Sequence, residues 1–516
     1  MVNTPFQGKH VLVLGLGLHG GAIGTITWLA KQGAIISVSD AKTKEDLVSS
    51  IQKLKDIPNI SYYFGNQDDL DFAKIDLIIR NPGVPRNAPI LDRARKQNIS
   101  IEMDSSLFFA YSDSKDIIGI TGSKGKTTAS AAISAVMNAI DSETITVGVD
   151  GISPLGALTP LTPASGLGPL PERERGTTGA TFPVVFELSS WRLEALQEKM
   201  ISPHIAVVTS MYKDHLNTYK SFEEYIDTKK QIIRNQTTED IAILNADDEK
   251  IRTWENDVRG ALYWFSLKPL KEHEQGIWIK DRKIFTNPFS PIGEKVPRKS
   301  GRMRADHNST TALTPSLSQR WERGNTQAIC SVSDIPHTSP HELRNKLPAI
   351  LIGILHGADI PLIITALQNA PALAHRLQFV RTLDGVRYVN DSSATMPDAT
   401  IAAIESFQEK PLILILGGSD KALEFQELAQ TVASHNNIKH IIWLPGTATR
   451  NMKALVSMQT HAKHYDASTM NNAVKTAHSL TRPGDTVLLS PGATSFGLFL
   501  HEFDRGDAFI RAVEKL

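Results

Sequence analysis

The residues best suited to chemistry in this chain stand at Gly119-Ile120-Thr121-Gly122-Ser123-Lys124-Gly125-Lys126-Thr127-Thr128. They form a glycine-rich turn between a short apolar run, Ile117 to Ile120, and an Ala-rich run, Ala129 to Ile140. Glycines let backbone N–H groups approach an anion without a Cβ in the way, and a helix that follows presents its positive end. Lys126 can reach terminal phosphates, and the Thr127 hydroxyl can hold Mg²⁺. The spacing departs from the strict P-loop, because Ile120 stands where that motif has its first glycine. The chemistry is that of a nucleoside triphosphate site.

Other reactive residues follow strand-like runs. Phe182 to Phe186 is apolar and ends at Glu187, Ser189 and Ser190, where a P-loop sheet places an acid near Mg²⁺. Ile205 to Ser210 is a second such run, and Asp214-His215-Leu216 lies in the loop after it. Magnesium prefers oxygen, so a His215 ligand implies a second or unusual site. Ser221 to Ile232 reads as a capping-box start and an amphipathic helix. By spacing alone, Lys229 and Lys230 are cations placed late in that helix, where they suit its dipole.

Earlier in the chain, His10 to Gly15 flows into Gly15-Leu16-Gly17-Leu18-His19-Gly20-Gly21 and a helical stretch from Ala22 to Gln32. A second strand, Ala34 to Asp40, ends in a carboxylate that suits either a ribose or a base N–H. Ile75 to Arg80 is a further buried strand, followed by the rigid turn Asn81-Pro82-Gly83-Val84-Pro85. Late in the chain three strands end in polar groups. Gly385 to Asn390 leads to Asp391-Ser392-Ser393-Ala394-Thr395, Leu412 to Leu416 to a turn ending at Lys421, and Thr486 to Ser490 to Ser495-Phe496. Ligands in open α/β sheets sit at such carboxyl ends.

The elements required are therefore parallel strands alternating with helices, repeated in three domains, 1–113, 114–369 and 370–516. At 516 residues the chain is too long for one core. Its 55 basic and 55 acidic residues leave no net charge, so no global field recruits nucleic acid or an acidic membrane. Cys330 stands alone, which excludes an internal disulfide framework and fits a reducing compartment. No apolar run reaches the roughly 20 residues of a membrane span, and no basic region with a long apolar core opens the chain. A cytoplasmic enzyme is expected. Residues near 156–180 and 287–339 are rich in Pro, Gly, Ser and Thr and echo one another, Ala157-Leu158-Thr159-Pro160 recurring as Ala312-Leu313-Thr314-Pro315. Both are expected to be disordered insertions.

Thr121 to Thr128, Phe186 to Ser190, Asp214 to Leu216, Tyr225 to Lys229 and Asn245-Ala246-Asp247-Asp248, together with the late motifs, resemble the Mur ligase family. The likeness runs from the first glycine turn to the last helix. It implies an N-terminal Rossmann-like domain, a central P-loop ATPase-type domain and a C-terminal Rossmann-like domain. The activity implied is ATP-driven addition of glutamate to UDP-N-acetylmuramoyl-L-alanine in peptidoglycan precursor synthesis, through an acyl phosphate.

Residue by residue, the resemblance implies ATP on Gly122, Ser123, Lys124, Gly125, Lys126, Thr127, Thr128, Arg376 and Asp391. Mg²⁺, in two sites, falls to Thr127, Glu187, His215 and Lys229, the last as a carbamate. Catalysis falls to Lys126, Lys229, His215 and Arg376. The UDP-substrate falls to Gly17, Leu18, His19, Asp40, Lys42, Asn81 and Gly83. Glutamate falls to Thr395, Lys421, Ser495, Phe496 and Phe503. The implied protein is a monomer acting on small molecules, with no nucleic acid and no membrane span. Three places depart from the family pattern: Asp150 replaces Asn, His341-Glu342-Leu343-Arg344-Asn345 replaces a His-Asn pair near the adenine, and Ser393 replaces Lys. A related muramoyl-peptide or folate ligase would share the central domain, and a non-catalytic descendant would keep the fold without turnover.

Overall fold

The computed structural model describes residues 4–18, 20–65, 67, 70–149, 153–158, 182–212, 218–287, 326–336, 339–408, 410–421 and 423–516. They form two compact units, Met1–Ala370 and Pro371–Leu516.

The first unit holds two sheets. β1 (His10–Leu14), β2 (Ile35–Asp40), β3 (Ile60–Phe64), β4 (Leu77–Arg80) and β5 (Ser100–Glu102) make a parallel sheet in the order β3-β2-β1-β4-β5. The runs that read as apolar pack on both faces, as a parallel sheet covered by helices requires. Chain order reverses at β1, so a crevice opens beyond its carboxyl end. The second sheet contains β6 (Ile117–Thr121), β7 (Ile145–Val147), β8 (Val184–Glu187), β9 (Ile205–Val208), β10 (Ile241–Asn245), β11 (Ala261–Ser266), β12 (Gly276–Lys280), β13 (Lys283–Thr286) and β14 (Gln327–Ser331). Its order is β14-β13-β12-β11-β10-β9-β6-β8-β7, parallel except for the antiparallel β12-β13-β14 edge. The helix Lys126–Ile140 covers it, burying Ala129, Ala132, Ile133, Val136 and Met137 against the helix Pro340–Leu355. Gly353 allows the close approach, since a Cβ there would lie 2.8 Å from Val136 and Ile363 side-chain atoms.

Among the described residues, buried ion pairs join these layers. Arg80 Nη2 meets Glu194 Oε2 at 3.0 Å, and Arg192 Nη2 meets Asp104 Oδ2 at 2.8 Å. Tyr219 Oη also donates to Glu194 Oε1 at 2.9 Å.

The second unit is a sheet in the order β15-β16-β20-β17-β18-β19, formed by β15 (Gln378–Leu383), β16 (Val386–Asn390), β17 (Leu412–Leu416), β18 (Ile438–Trp443), β19 (Lys463–Asp466) and β20 (Thr486–Leu489). Among the described residues only β15 runs antiparallel. β16, β20 and β17 are neighbours, so their carboxyl-end loops share one edge.

Three expectations need correction. The stretch 287–339 is not disordered throughout. Gln327–Ser331 pairs with β13, and Val332 and Ile335 are buried after it. Backbone pairing and two apolar anchors suffice where the side-chain pattern is weak. The boundary at 156 is also too early, because Gly156 and Ala157 belong to the 3₁₀ turn Pro154–Ala157. There Leu155 is buried and Ser153 Oγ lies 2.9 Å from Thr25 Oγ1. Residues 159–181 and 288–325 lie outside the described residues. Finally, Ser221 caps its helix by accepting from Glu224 N at 3.2 Å, but Glu224 Oε2 accepts from Lys220 N rather than closing a reciprocal box.

Candidate active site

The phosphate loop is held from beneath by the segment after β9. Ser123 N donates to Ser210 O at 2.7 Å, Lys124 N to Ser210 Oγ at 3.1 Å, and Tyr212 N to Ser123 Oγ at 2.9 Å. That segment is pinned in turn. Asn245 Nδ2 donates to Thr209 O at 2.7 Å and Met211 N to Asp248 Oδ2 at 2.7 Å. The N–H groups of Ser123 and Lys124 thus serve the loop itself. The first turn of the helix, from Lys126 onward, is where a helix start presents its N–H groups and positive dipole end to an anion. Two glycines are sterically required here. Gly122 (φ +148°) would place a Cβ 2.0 Å from Thr209 Oγ1, and Gly125 (φ +83°) would place one 2.2 Å from Asn345 Oδ1. Lys126 Nζ folds back onto the loop, donating to Gly122 O at 3.0 Å and Ser123 O at 3.4 Å. Thr127 and Thr128 follow in the first turn, half-buried.

Glu187 ends β8 in register with Ile120 of β6, beside the loop. Its Oε2 is buried and has no hydrogen-bond partner among the described residues. A buried carboxylate oxygen without a donor fits a cation ligand. Lys229, on the helix Phe222–Arg234, is 1% exposed, with Nζ 3.4 Å from Thr121 Oγ1 and 5.0 Å from the centre of the Tyr225 ring. The structure separates the two lysines that spacing had left alike. Lys230 reaches Asp257 near the surface, whereas Lys229 points into the sheet edge beside the phosphate loop. His215 lies outside the described residues. Among the described residues no three His, Cys, Asp or Glu side chains gather as a metal cluster; of those types the predicted ligand set has only Glu187 there.

At the crevice of the first sheet, the predicted nucleotide residues build a turn. Asp40 Oδ2 accepts from Gly17 N at 3.0 Å and Oδ1 from Lys42 N at 2.9 Å, while Asn81 Nδ2 donates to Gly15 O at 2.8 Å. Gly15 (φ +84°) is packed so closely that a Cβ would lie 2.7 Å from Val84 Cγ2. Both oxygens of Asp40 thus already order the turn, and a ligand would share them. Leu18 packs on the core, and the Lys42 side chain and Gly83 are exposed. His19 and Asp150 lie outside the described residues.

In the second unit, Asp391 and Thr395 follow β16, Lys421 follows β17 and Ser495 follows β20. Ser419 and Thr494 pair the last two loops, with Ser419 N donating to Thr494 O at 2.8 Å. Asp391 is buried; it accepts from Ser490 Oγ at 2.8 Å and from Leu377 N at 3.1 Å. Burial pushes its carboxyl up to about 7, against the opposing pull of these bonds and of the charges on Arg376 and Arg505. Arg376 is exposed on a turn whose flanking residues, His375 (φ 59°) and Leu377 (φ 41°), adopt left-handed backbone. Strain of that kind clusters at functional sites. Thr395 and Lys421 are half-buried, and Ser495 Oγ is buried with no hydrogen-bond partner among the described residues. Phe496 is 57% exposed, whereas the Phe503 ring lies 5.5 Å from that of His375.

Sequence reasoning missed Asn345 against Gly125, Thr209 and Ser210 beneath the loop, and Arg505. Asn345 lies four positions after His341, and Arg505 carries no sequence signal beyond its place in a polar helix.

Three family profiles match the chain: "Mur ligase MurD-like, N-terminal domain" at residues 9–102, "Mur ligase middle domain" at 120–288, and "Mur ligase, glutamate ligase domain" at 375–492. A UDP-N-acetylmuramoylalanine--D-glutamate ligase of Roseiflexus sp. (strain RS-1) is 36% identical over 509 residues, 98% of each chain. The ligase of the same name from Clostridioides difficile (strain 630) is 30% identical over 99% of each chain. Among solved structures, the UDP-N-acetylmuramate-alanine ligase of Thermotoga maritima superposes with a TM-score of 0.57 at 17% identity, covering 98% of this chain and 99% of that one. That last likeness speaks to the three-domain α/β fold alone. With the phosphate loop and its supporting segment described, and on these likenesses, the chain belongs to the Mur ligase family.

Proposed function

We propose that this chain is an ATP-dependent amide ligase joining D-glutamate to UDP-N-acetylmuramoyl-L-alanine, with release of ADP and phosphate, in peptidoglycan precursor synthesis. The observation that carries this reading is the likeness to ligases of that name over 98–99% of the chain. In it, residues 1–113 hold the UDP-substrate through Gly17, Leu18, His19, Asp40, Lys42, Asn81 and Gly83. Residues 114–369 hold ATP, and residues 370–516 hold glutamate through Thr395, Lys421, Ser495, Phe496 and Phe503. The protein works as a monomer in the cytoplasm. Among the described residues, no helix is long and apolar enough to cross a membrane.

The protein positions and neutralises rather than reacting covalently. Lys126 leaves the Gly122 and Ser123 carbonyls to hold the β- and γ-phosphates, and the first-turn N–H groups of its helix receive phosphate oxygens. Arg376 neutralises phosphate charge, and Asp391 holds the nucleotide. The alanyl carboxylate attacks the γ-phosphorus, ADP leaves, and an acyl phosphate forms. The amine of glutamate then attacks the acyl carbon, the amide bond forms as phosphate departs, and the amine loses a proton. Thr127, Glu187, His215 and Lys229 would hold two magnesium ions, for which the unpartnered Glu187 oxygen is suited. When bound, Mg²⁺ screens the charge that builds up on the transferring phosphoryl group. Carbamylation turns the buried Lys229 from a cation into an anion, matching it to that role. Lys126→Ala is expected to abolish ADP release in the presence of both substrates; an unchanged rate would overturn the assignment.

A further inference from the structure

Arg505 belongs to the helix Glu502–Glu514 and is 1% exposed. Its Nε donates to Ser392 Oγ at 3.0 Å, its Nη2 to Ser392 O at 2.8 Å and its Nη1 to Ala493 O at 2.9 Å. Ser392 lies on the loop after β16 and Ala493 on the loop after β20, so one planar guanidinium spans both. Such a fork is suited to fixing two backbones at once. The third loop is bound to the second through the Ser419–Thr494 pairing, which places Lys421 in the same framework. Burial lowers the Arg505 pKa to about 10, which still leaves it charged at neutral pH.

Close to each anchor stands a hydroxyl without a use in the fold. Ser393 Oγ and Ser495 Oγ are both buried and have no hydrogen-bond partner among the described residues. A buried hydroxyl without a partner is destabilising, and a ligand that completes it explains its presence. We infer that Arg505 is a positioning residue for the acceptor amino acid, holding two loops so that the Ser393 and Ser495 hydroxyls donate to one carboxylate-bearing ligand. Ser393 is then a binding contact for that ligand. The inference rests on the glutamate-ligase reading for the identity of the ligand, though not for the clamp itself.

The test is steady-state kinetics of the full chain carrying Arg505→Met, Arg505→Lys or Ser393→Ala, with hydrogen exchange measured in the 391–396 and 490–496 loops. Arg505→Met is expected to raise KM for glutamate about tenfold while KM for ATP moves less than about twofold, and to speed exchange in both loops. Arg505→Lys should fall between, since an ammonium reaches fewer of the three acceptors. Ser393→Ala should raise KM for glutamate about fivefold without changing loop exchange. If Arg505→Met does not fold, the Lys and Ala variants decide by the same readouts. Unchanged glutamate KM in Arg505→Lys and Ser393→Ala, or unchanged exchange in the Arg505 variants, would overturn the inference. A wild-type chain that exchanges more slowly than its Arg505 variants but does not turn over with glutamate would uphold the clamp and sink the functional reading instead.

Discussion

Replacing Asp391 by Asn should remove a pH-dependent weakness from the second unit. The carboxyl is buried, and burial pushes it from 3.8 up to about 7. A group whose folded-state value lies above its unfolded one contributes stability at low pH that is lost as pH rises through the folded value. At about 1.4 kcal/mol per pH unit, the span between those values amounts to about 4 kcal/mol, lost between pH 4 and 7 and level above it. Asn preserves both contacts, since its carbonyl accepts from Leu377 N and its amide donates to Ser490 Oγ, and it does not titrate. The assay is hydrogen exchange in Val386–Asn390 and Thr486–Leu489, corrected for intrinsic rates, at pH 5 and pH 8. Comparing the variant with the wild type removes the titration of histidines in the same range, which both proteins share. The wild type should lose about 3 kcal/mol of protection relative to the Asp391→Asn variant over that interval. A difference that stays flat with pH would refute the burial argument.

Further outcomes follow from the first unit. Lys229→Ala should eliminate turnover, and high bicarbonate should not restore it, whereas Lys230→Ala should cost no more than about twofold because its partner Asp257 is solvated; the reverse order in an ADP-release assay would assign the wrong lysine. Gly125→Ala puts a Cβ into Asn345 and forces left-handed backbone on a side chain, so thermal unfolding should show a loss of about 1–3 kcal/mol, with a raised KM for ATP; an unaffected KM would show that the loop relaxes freely.

The parts of this molecule legible in its sequence are those where local chemistry and fold agree. Apolar runs ending in glycine or polar residues located β1, β2, β4, β6, β8, β9, β16, β17 and β20, because a strand buried on both faces has little choice of composition. Short or mixed strands gave no such pattern. Ser100–Glu102 and Gln327–Ser331 are ordered by pairing with neighbours, which no local window contains. Lys229 shows the same limit at the site. Its spacing on the helix does not set it apart from Lys230, and the physical difference is where each side chain goes, Lys229 beside Thr121 and Lys230 to Asp257. Arg505 was illegible for a related reason, since its three acceptors are the atoms of residues more than a hundred positions away or on a separate loop.

The most direct test of the account is mass spectrometry of the product formed from UDP-N-acetylmuramoyl-L-alanine, ATP, Mg²⁺ and either D- or L-glutamate. One new amide product is expected with D-glutamate, formed in equal amount with ADP and phosphate. No amide with either enantiomer, or ADP release that does not depend on glutamate, would contradict it.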